Sequence, residues 1–298
     1  LNPAATYLKL LLTMVIWGGT WVAGRYAVQV VAPLGIAVWR FVIAGAALLA
    51  LVAWRNGGLP RPTRREAWLI FGLGVTGIFL YNLCFLYGLQ RLAAGQAALV
   101  VALNPVMITL AAALWSGERL TPAKAAGSAI ALIGCLTVIG HGSPLAPLTG
   151  DVGIGELLIV GCAVFWAAYT LIGRRATKTL SALVVTAYST VVGCALLLLA
   201  ALIDRPAALL PDYPPLAWAA ILFLALLGTT LGFTWFNQSV QRIGAARASI
   251  FINLVPVAAV LAGAWLLDER LGLSVLAGGA LVLVGVVLTQ RTQLESTS

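Results

Sequence analysis

Apolar residues run through this chain in blocks of roughly 20, the number a helix needs to cross a bilayer, and polar positions gather in short strips between them. The pattern predicts an all-α membrane protein with ten spans, at about 7–27, 33–54, 66–89, 94–115, 121–140, 153–173, 179–203, 214–238, 244–267 and 271–290. Pro33 and Pro214 stand where spans begin, a place that suits a residue without an N–H. Gly57-Gly58-Leu59-Pro60 reads as a loop. The longest polar break runs from His141 to Asp151 and carries Pro144, Pro147 and Gly150. It divides the chain into a first unit at 1–140, a connecting loop at 141–152 and a second unit at 153–298, with five spans in each unit. The first apolar run is too long for the core of a cleaved leader and reads as a span.

The two units repeat each other. A shift of 151 residues lays 94–138 on 245–289 with 16 of 45 positions identical. Shared Ala and Leu inflate that number, so the weight rests on the rarer matches. Pro105 meets Pro256, Glu118-Arg119-Leu120 meets Glu269-Arg270-Leu271, and Gly127 and Gly134 meet Gly278 and Gly285. Upstream, Gln90-Arg91 meets Gln241-Arg242, and Trp17 with Gly24-Arg25 meets Trp166 with Gly173-Arg174. A repeat of five spans is odd, so its second copy lies upside down in the membrane. Inverted repeats characterise secondary transporters, whose substrate sites lie at the repeat interface near the midplane.

Charge sets the orientation. The connections on the side of both termini hold 13 of the 18 Lys and Arg residues, against four (Arg25, Arg91, Arg205, Arg270) on the other side and Arg40 inside a span. By the positive-inside rule both termini are expected in the cytoplasm.

Composition agrees. The 298 residues are 61% hydrophobic and 9% charged, with a mean hydropathy of +1.02, where a soluble domain carries about 25% charged residues. A net charge of +9 on a soluble protein would suggest nucleic acid, but here the charges flank apolar runs. Cys84, Cys135, Cys162 and Cys194 all lie in apolar runs and read as buried small residues rather than a disulfide or zinc framework. Gly72-Leu73-Gly74-Val75-Thr76-Gly77 fits a dinucleotide fingerprint but lies inside a span, where close helix packing is the expectation. The same holds for Gly228-Thr229-Thr230-Leu231-Gly232. His141, the single histidine, reads as an ordinary loop residue. No phosphate loop, HExxH or nucleophile elbow is present, so the chain is expected to be no enzyme and to need no cofactor or metal.

The order and spacing of Trp17-Gly18, Arg40-Phe41, Asn104-Pro105 and the Gly-Glu-Arg-Leu run at 117–120, set on a five-span repeat, resemble the drug/metabolite transporter superfamily. Within it the chain is similar to the ten-helix EamA-type exporters, and most like the aromatic amino-acid exporters of the YddG type. That resemblance implies two inverted five-helix bundles, a central cavity, an inner-membrane location and export of amino acids or related metabolites by alternating access. The expected partners are a small-molecule substrate and the lipid bilayer, with no nucleic acid, and a monomer is compatible with this. Exporters of other small metabolites or drugs, and a membrane-embedded enzyme, stay open as alternatives.

Polar and aromatic residues inside the membrane are the candidate site. Trp17, Thr20, Trp21 and Arg25 share a face of span 1, and Trp166, Tyr169 and Thr170 answer them in span 6. Trp17 and Trp166 are expected to face each other as an aromatic wall. Trp54, Trp68 and Trp218, near span ends, read instead as an interfacial belt. Tyr81 and Asn82 in span 3, Thr234, Trp235, Asn237 and Gln238 in span 8, and Asn104 and Asn253 in spans 4 and 9 complete the binding candidates. Amides donate and accept, so they hold an ammonium or a carboxylate without net charge. They serve equally to bond neighbouring helices. Pro105 and Pro256 are expected to kink spans 4 and 9 and to act as hinges. Arg40 is open to two readings: a head group snorkelling or tied to helix-end carbonyls, or a contact for a substrate carboxylate or a gate. No Asp or Glu lies mid-span, and Glu156 comes closest. The small multidrug relatives bind cations through a membrane glutamate in span 1, which this chain lacks. An uncharged aromatic and amide cavity suits neutral zwitterions with apolar side chains.

Overall fold

Each apolar block folds into a helix, and the residue before it often starts the turn. The computed structural model describes residues 3–116, 121–148, 152–243, 248 and 251–295. Among them α1 is Pro3–Val30, α2 is Pro33–Asn56, and α3 runs from Arg64–Leu73 through Gly74–Leu80 to Tyr81–Leu89. The helix α4 is made of Ala94–Val101 and Asn104–Ser116, and α5 is Pro122–Ile139. The second half gives α6 at Ile154–Ala176, α7 at Ala182–Asp204 and α8 from Pro215–Leu222 through Phe223–Leu231 to Gly232–Ile243. The last two are α9 at Leu254–Leu266 and α10 at Leu273–Glu295. The Gly-Glu-Arg-Leu run at 117–120, with Gly150, Asp151 and Arg247, lies outside the described residues.

Local chemistry explains the starts. Thr63 caps α3 in a reciprocal box, its own N–H donating to Glu66 Oε2 at 2.8 Å. Thr121 and Ser181 accept the first free N–H groups of α5 and α7 at 3.3 Å each. Proline occupies the first turn of α2, α5 and α8. Eight of the helices are long and apolar enough to cross a membrane within the described residues, and α9 and α10 add shorter apolar stretches. The chain is an all-helical membrane protein.

Repeat mates pack on one another along the middle of the molecule: α2 on α7, α4 on α9 and α5 on α10. The α5–α10 seam is made by the glycines that match between the repeats. A Cβ on Gly127 would lie 2.8 Å from Gly285 O, and one on Gly134 would lie 2.7 Å from Gly278 O. The reverse pairs are also close, at 2.5 Å for Gly285 and 3.0 Å for Gly278. A Cβ would press into the facing backbone at Gly127, Gly134 and Gly285 and would fit only tightly at Gly278, so the backbones touch. The other mates do not pair. Instead α1 packs on α8 and α6 on α3, each crossing into the other repeat.

Two elements depart from plain α-geometry. Gly74–Leu80 in α3 and Phe223–Leu231 in α8 are π-helical. Adding 151 to the first range gives 225–231, inside the second, so both repeats widen their third helix at the same place. Spans 4 and 9 are interrupted just before their prolines. The helix breaks at Ala102-Leu103 before Asn104-Pro105, and Asn253 is a turn before Leu254-Val255-Pro256. Ala102 and Asn253 keep right-handed helical torsions, and the Met107 N–H still reaches Leu103 O at 2.9 Å, so each interruption is the local gap left by the N–H that proline lacks, as expected for a kink.

Candidate functional site

The crossing of the repeats brings α1, α3, α6 and α8 round the centre, and their aromatic residues form one continuous chain. Trp17 lies 5.3 Å from Phe236 and 5.5 Å from Phe233, centroid to centroid. Phe233 reaches Trp166 at 6.5 Å, and Trp166 reaches Tyr81 at 5.5 Å and Tyr169 at 5.3 Å. Tyr81 stacks on Phe85, which takes the edge of Trp21 at 4.9 Å. Trp17 and Trp166 thus belong to one cluster, but the wall is indirect, with Phe233 standing between them. Sequence reasoning misses Phe233, because a phenylalanine in an apolar run carries no signal of its own.

The π segments receive these aromatics. Trp17 donates its indole N–H to Gly228 O at 2.9 Å, and a Cβ on Gly232 would lie 2.5 Å from its Nε1. In the other repeat the Tyr169 ring covers Gly77, leaving no room for a Cβ there. Thr20, the counterpart of Tyr169 in α1, covers Gly228 with its methyl group and donates its hydroxyl to Trp17 O at 2.5 Å. Both glycines of the G-x-x-x-G run are thus contact points, and Gly74 of the apparent dinucleotide motif packs on Val192 and Gly193 of α7.

Arg40 sits beside this cluster. Its Nη1 donates to Asn82 Oδ1 at 3.1 Å and its Nη2 to Thr229 Oγ1 at 3.3 Å. The guanidinium also lies over Phe41 at 4.9 Å and Phe85 at 5.9 Å. The snorkelling reading is overturned, as is the one with helix-end carbonyls: the head group is held inside the bundle by two side chains from different repeats. A central Arg costs about 2.5–3.5 kcal/mol to insert, and each bond to a charged group returns about 1.5–3 kcal/mol. Asn82 is buried and donates back to Ile78 O at 2.7 Å, which fixes its oxygen toward Arg40. Thr229 donates to Leu224 O, five residues back, a spacing made by the π turn. Arg40 Nε is buried without a hydrogen-bond partner.

A cleft of ≈ 190 Å³ lies at the end of the bundle that carries most of the basic residues, between α2, α7 and α8. Leu48, Thr186 and Phe233 line it together with Arg55, Thr234, Asn237 and Gln238. Arg40 lies eight residues from Leu48 along α2, about 12 Å at 1.5 Å per residue. Trp235 faces away toward α1, under the Lys9 ammonium at 5.9 Å, and Lys9 donates to Gln238 Oε1 at 3.4 Å.

At the opposite end contacts tie the helices together. Arg25 donates to Leu89 O, and the Gly88 surface meets Ile159. Glu269 accepts the N–H groups of Ala94 at 2.7 Å and Gly95 at 3.1 Å, so an acid of the second repeat caps α4 of the first. Trp218, near the start of α8, packs on Trp39 and Tyr213 at 5.4 Å and ties the 205–214 loop to α2, whereas Trp54 and Trp68 are 80% and 65% exposed. His141 lies 3.9 Å from the buried Glu156. No group of three metal-ligating side chains occurs among the described residues. Asn104 carries a buried oxygen without a partner beside the α4 break, and Asn253 marks the α9 turn. The cysteines are free.

The model of the EamA-like transporter family matches residues 4–140 and 153–291. The chain is 32% identical over 281 residues to the uncharacterized transporter YyaM of Bacillus subtilis, covering 94% of this chain and 92% of that one. It is 31% identical over 288 residues to a probable terminal-alkyne amino-acid exporter of Streptantibioticus cattleyicolor, covering 96% and 93%. The aromatic amino acid exporter YddG of Ancylobacter novellus is 31% identical over 145 residues, about half of each chain (49% and 50%). One crystal structure superposes over the whole of both chains with a TM-score of 0.65 at 22% identity, a likeness of fold.

Proposed function

As this chain belongs to the EamA-like transporter family, a family of membrane transporters and not of enzymes, we propose that it exports amino acids with aromatic or large apolar side chains. The observation that carries the reading is the aromatic chain from Phe236 through Trp17, Phe233 and Trp166 to Tyr81, which joins both repeats and meets the cleft at Phe233. Flat apolar side chains fit such surfaces through offset and edge contacts. The similarity to the terminal-alkyne amino-acid exporter supports an amino-acid substrate, and the half-length similarity to YddG supports an aromatic one. In this reading the protein sits in the inner membrane, the two repeats divide at 141–152, and both termini are cytoplasmic. The cleft then faces the cytoplasm, where an exporter loads. Alternating access exchanges it for an opening on the opposite side.

Counterflow in proteoliposomes with a panel of labelled amino acids tests the proposal. Uptake of tryptophan, phenylalanine and leucine is expected, with small and charged amino acids far behind. Absence of counterflow for every amino acid rejects the substrate class. A reporter fused to each terminus reads the orientation, and an external signal from either end rejects it.

A further inference from the structure

Among the described residues, Arg40 is a cation without an anion. None of the nine Asp and Glu residues of the chain lies in the middle of an apolar span. The ion pairs among the described residues, His141 with Glu156 and Arg205 with Asp204, do not involve it. Its partners are neutral: the Asn82 amide oxygen, the Thr229 hydroxyl and two phenylalanine rings. A guanidinium presents five N–H donors. Two are committed, and the Nε–H has no partner. The edge formed by Nε and one Nη is the fork that takes a carboxylate through two parallel bonds.

The location suits a substrate held at both ends. Asn82 follows Tyr81 in α3, and Thr229 precedes Phe233 by four residues in α8, roughly one helical turn. The cation and the aromatic chain are therefore neighbours on the same two helices. We propose that Arg40, steadied by Asn82 and Thr229, binds the carboxylate of the transported molecule while the aromatic chain takes its apolar body. The substrate is then a carboxylate with an apolar group, and the matching amide or amine is excluded. The route through the membrane rests on the transporter reading above. The anion site rests on Arg40 alone.

Two measurements test it. The first is counterflow of tryptophan and of tryptophanamide, which differ only in the carboxyl group, in wild type, Arg40→Met and Arg40→Lys. Wild type is expected to favour tryptophan by at least about tenfold, the worth of one hydrogen bond to a charged group. Arg40→Met should bring tryptophan down to the rate of the amide, and Arg40→Lys should keep part of the preference. Equal rates for acid and amide in wild type, or an unchanged preference in Arg40→Met, overturn the proposal. The second is thermal stabilisation of the detergent-purified protein by indole-3-acetate against indole-3-acetamide, which reads binding whether or not amino acids are carried. A larger shift with the acetate, lost in Asn82→Asp, supports the site, because the carboxylate introduced by that change would supply an internal anion to Arg40. That variant is itself expected to be folded and thermally more stable. Equal shifts with both compounds overturn the carboxylate assignment, and failed counterflow beside a selective shift overturns only the amino-acid reading.

Discussion

At the scale of single residues, Phe233 has the clearest consequence. Both Trp17 and Trp166 lean on it, and it borders the cleft. Phe233→Ala removes a ring shared by two indoles; as Phe233 is half-buried, the cost is expected to stay below the roughly 3–5 kcal/mol of a fully buried phenylalanine. Its cost to transport should exceed that of Trp235→Ala, because Trp235 faces α1 and Lys9 rather than the cluster. Relative counterflow rates of the two variants, at matched folded amounts, check this order. Gly77→Ala puts a methyl group into the Tyr169 ring, and Gly228→Ala puts one 2.7 Å from a Thr20 methyl. Overpacking costs about 1–3 kcal/mol, and the stiff ring leaves less room to yield than threonine does. Melting temperatures should therefore fall further for Gly77→Ala. Of the candidate residues, those with unusual chemistry for a membrane interior were legible from sequence: Trp17, Trp166, Arg40 and Asn82. Phe233 was not, since its importance comes from where the π turn in α8 points it.

The helices themselves were largely legible, because a bilayer forces long apolar runs and short polar breaks. The start of α2 at Pro33 and the start of α4 at Ala94 agree with the reading of the pattern. What lay beyond the pattern was the helix type. A π turn keeps the same apolar residues and changes only which carbonyl each N–H meets, so hydropathy does not register it. The interruptions of α4 and α9 were legible, because a proline inside an apolar run removes the N–H that the turn before it would need. As hinges, these breaks are expected to bend between states. Pro105→Ala with Pro256→Ala restores two N–H groups and favours continuous helices, so it should slow counterflow while leaving expression intact. Equal rates in the double variant and wild type would remove the hinge role.

In the whole molecule, the inverted repeat was legible because the residues that match are also the residues that meet. Gly127 and Gly134 matched Gly278 and Gly285 in sequence, and the same four close the α5–α10 seam. Gly285→Leu should force these backbones apart and lower the melting temperature sharply, with no change in substrate preference of whatever protein remains folded. Less legible was the crosswise packing of α1 on α8 and α6 on α3, which depends on glycines facing large side chains rather than each other. The seam has a further consequence. When two inverted halves trade shapes, any distance between residues i and j in one state becomes the distance between their counterparts in the other. The counterparts of Gly127 and Gly285 are Gly278 and Gly134, and the two crossings are already nearly equal in closeness. A trade of shapes therefore leaves this line of contact where it is. Under the alternating access proposed above, the α5–α10 seam is expected to stay as a fixed spine about which the other helices rock, and the unlike pairs, Trp17 on Gly232 and Trp166 on Tyr81, are expected to change hands.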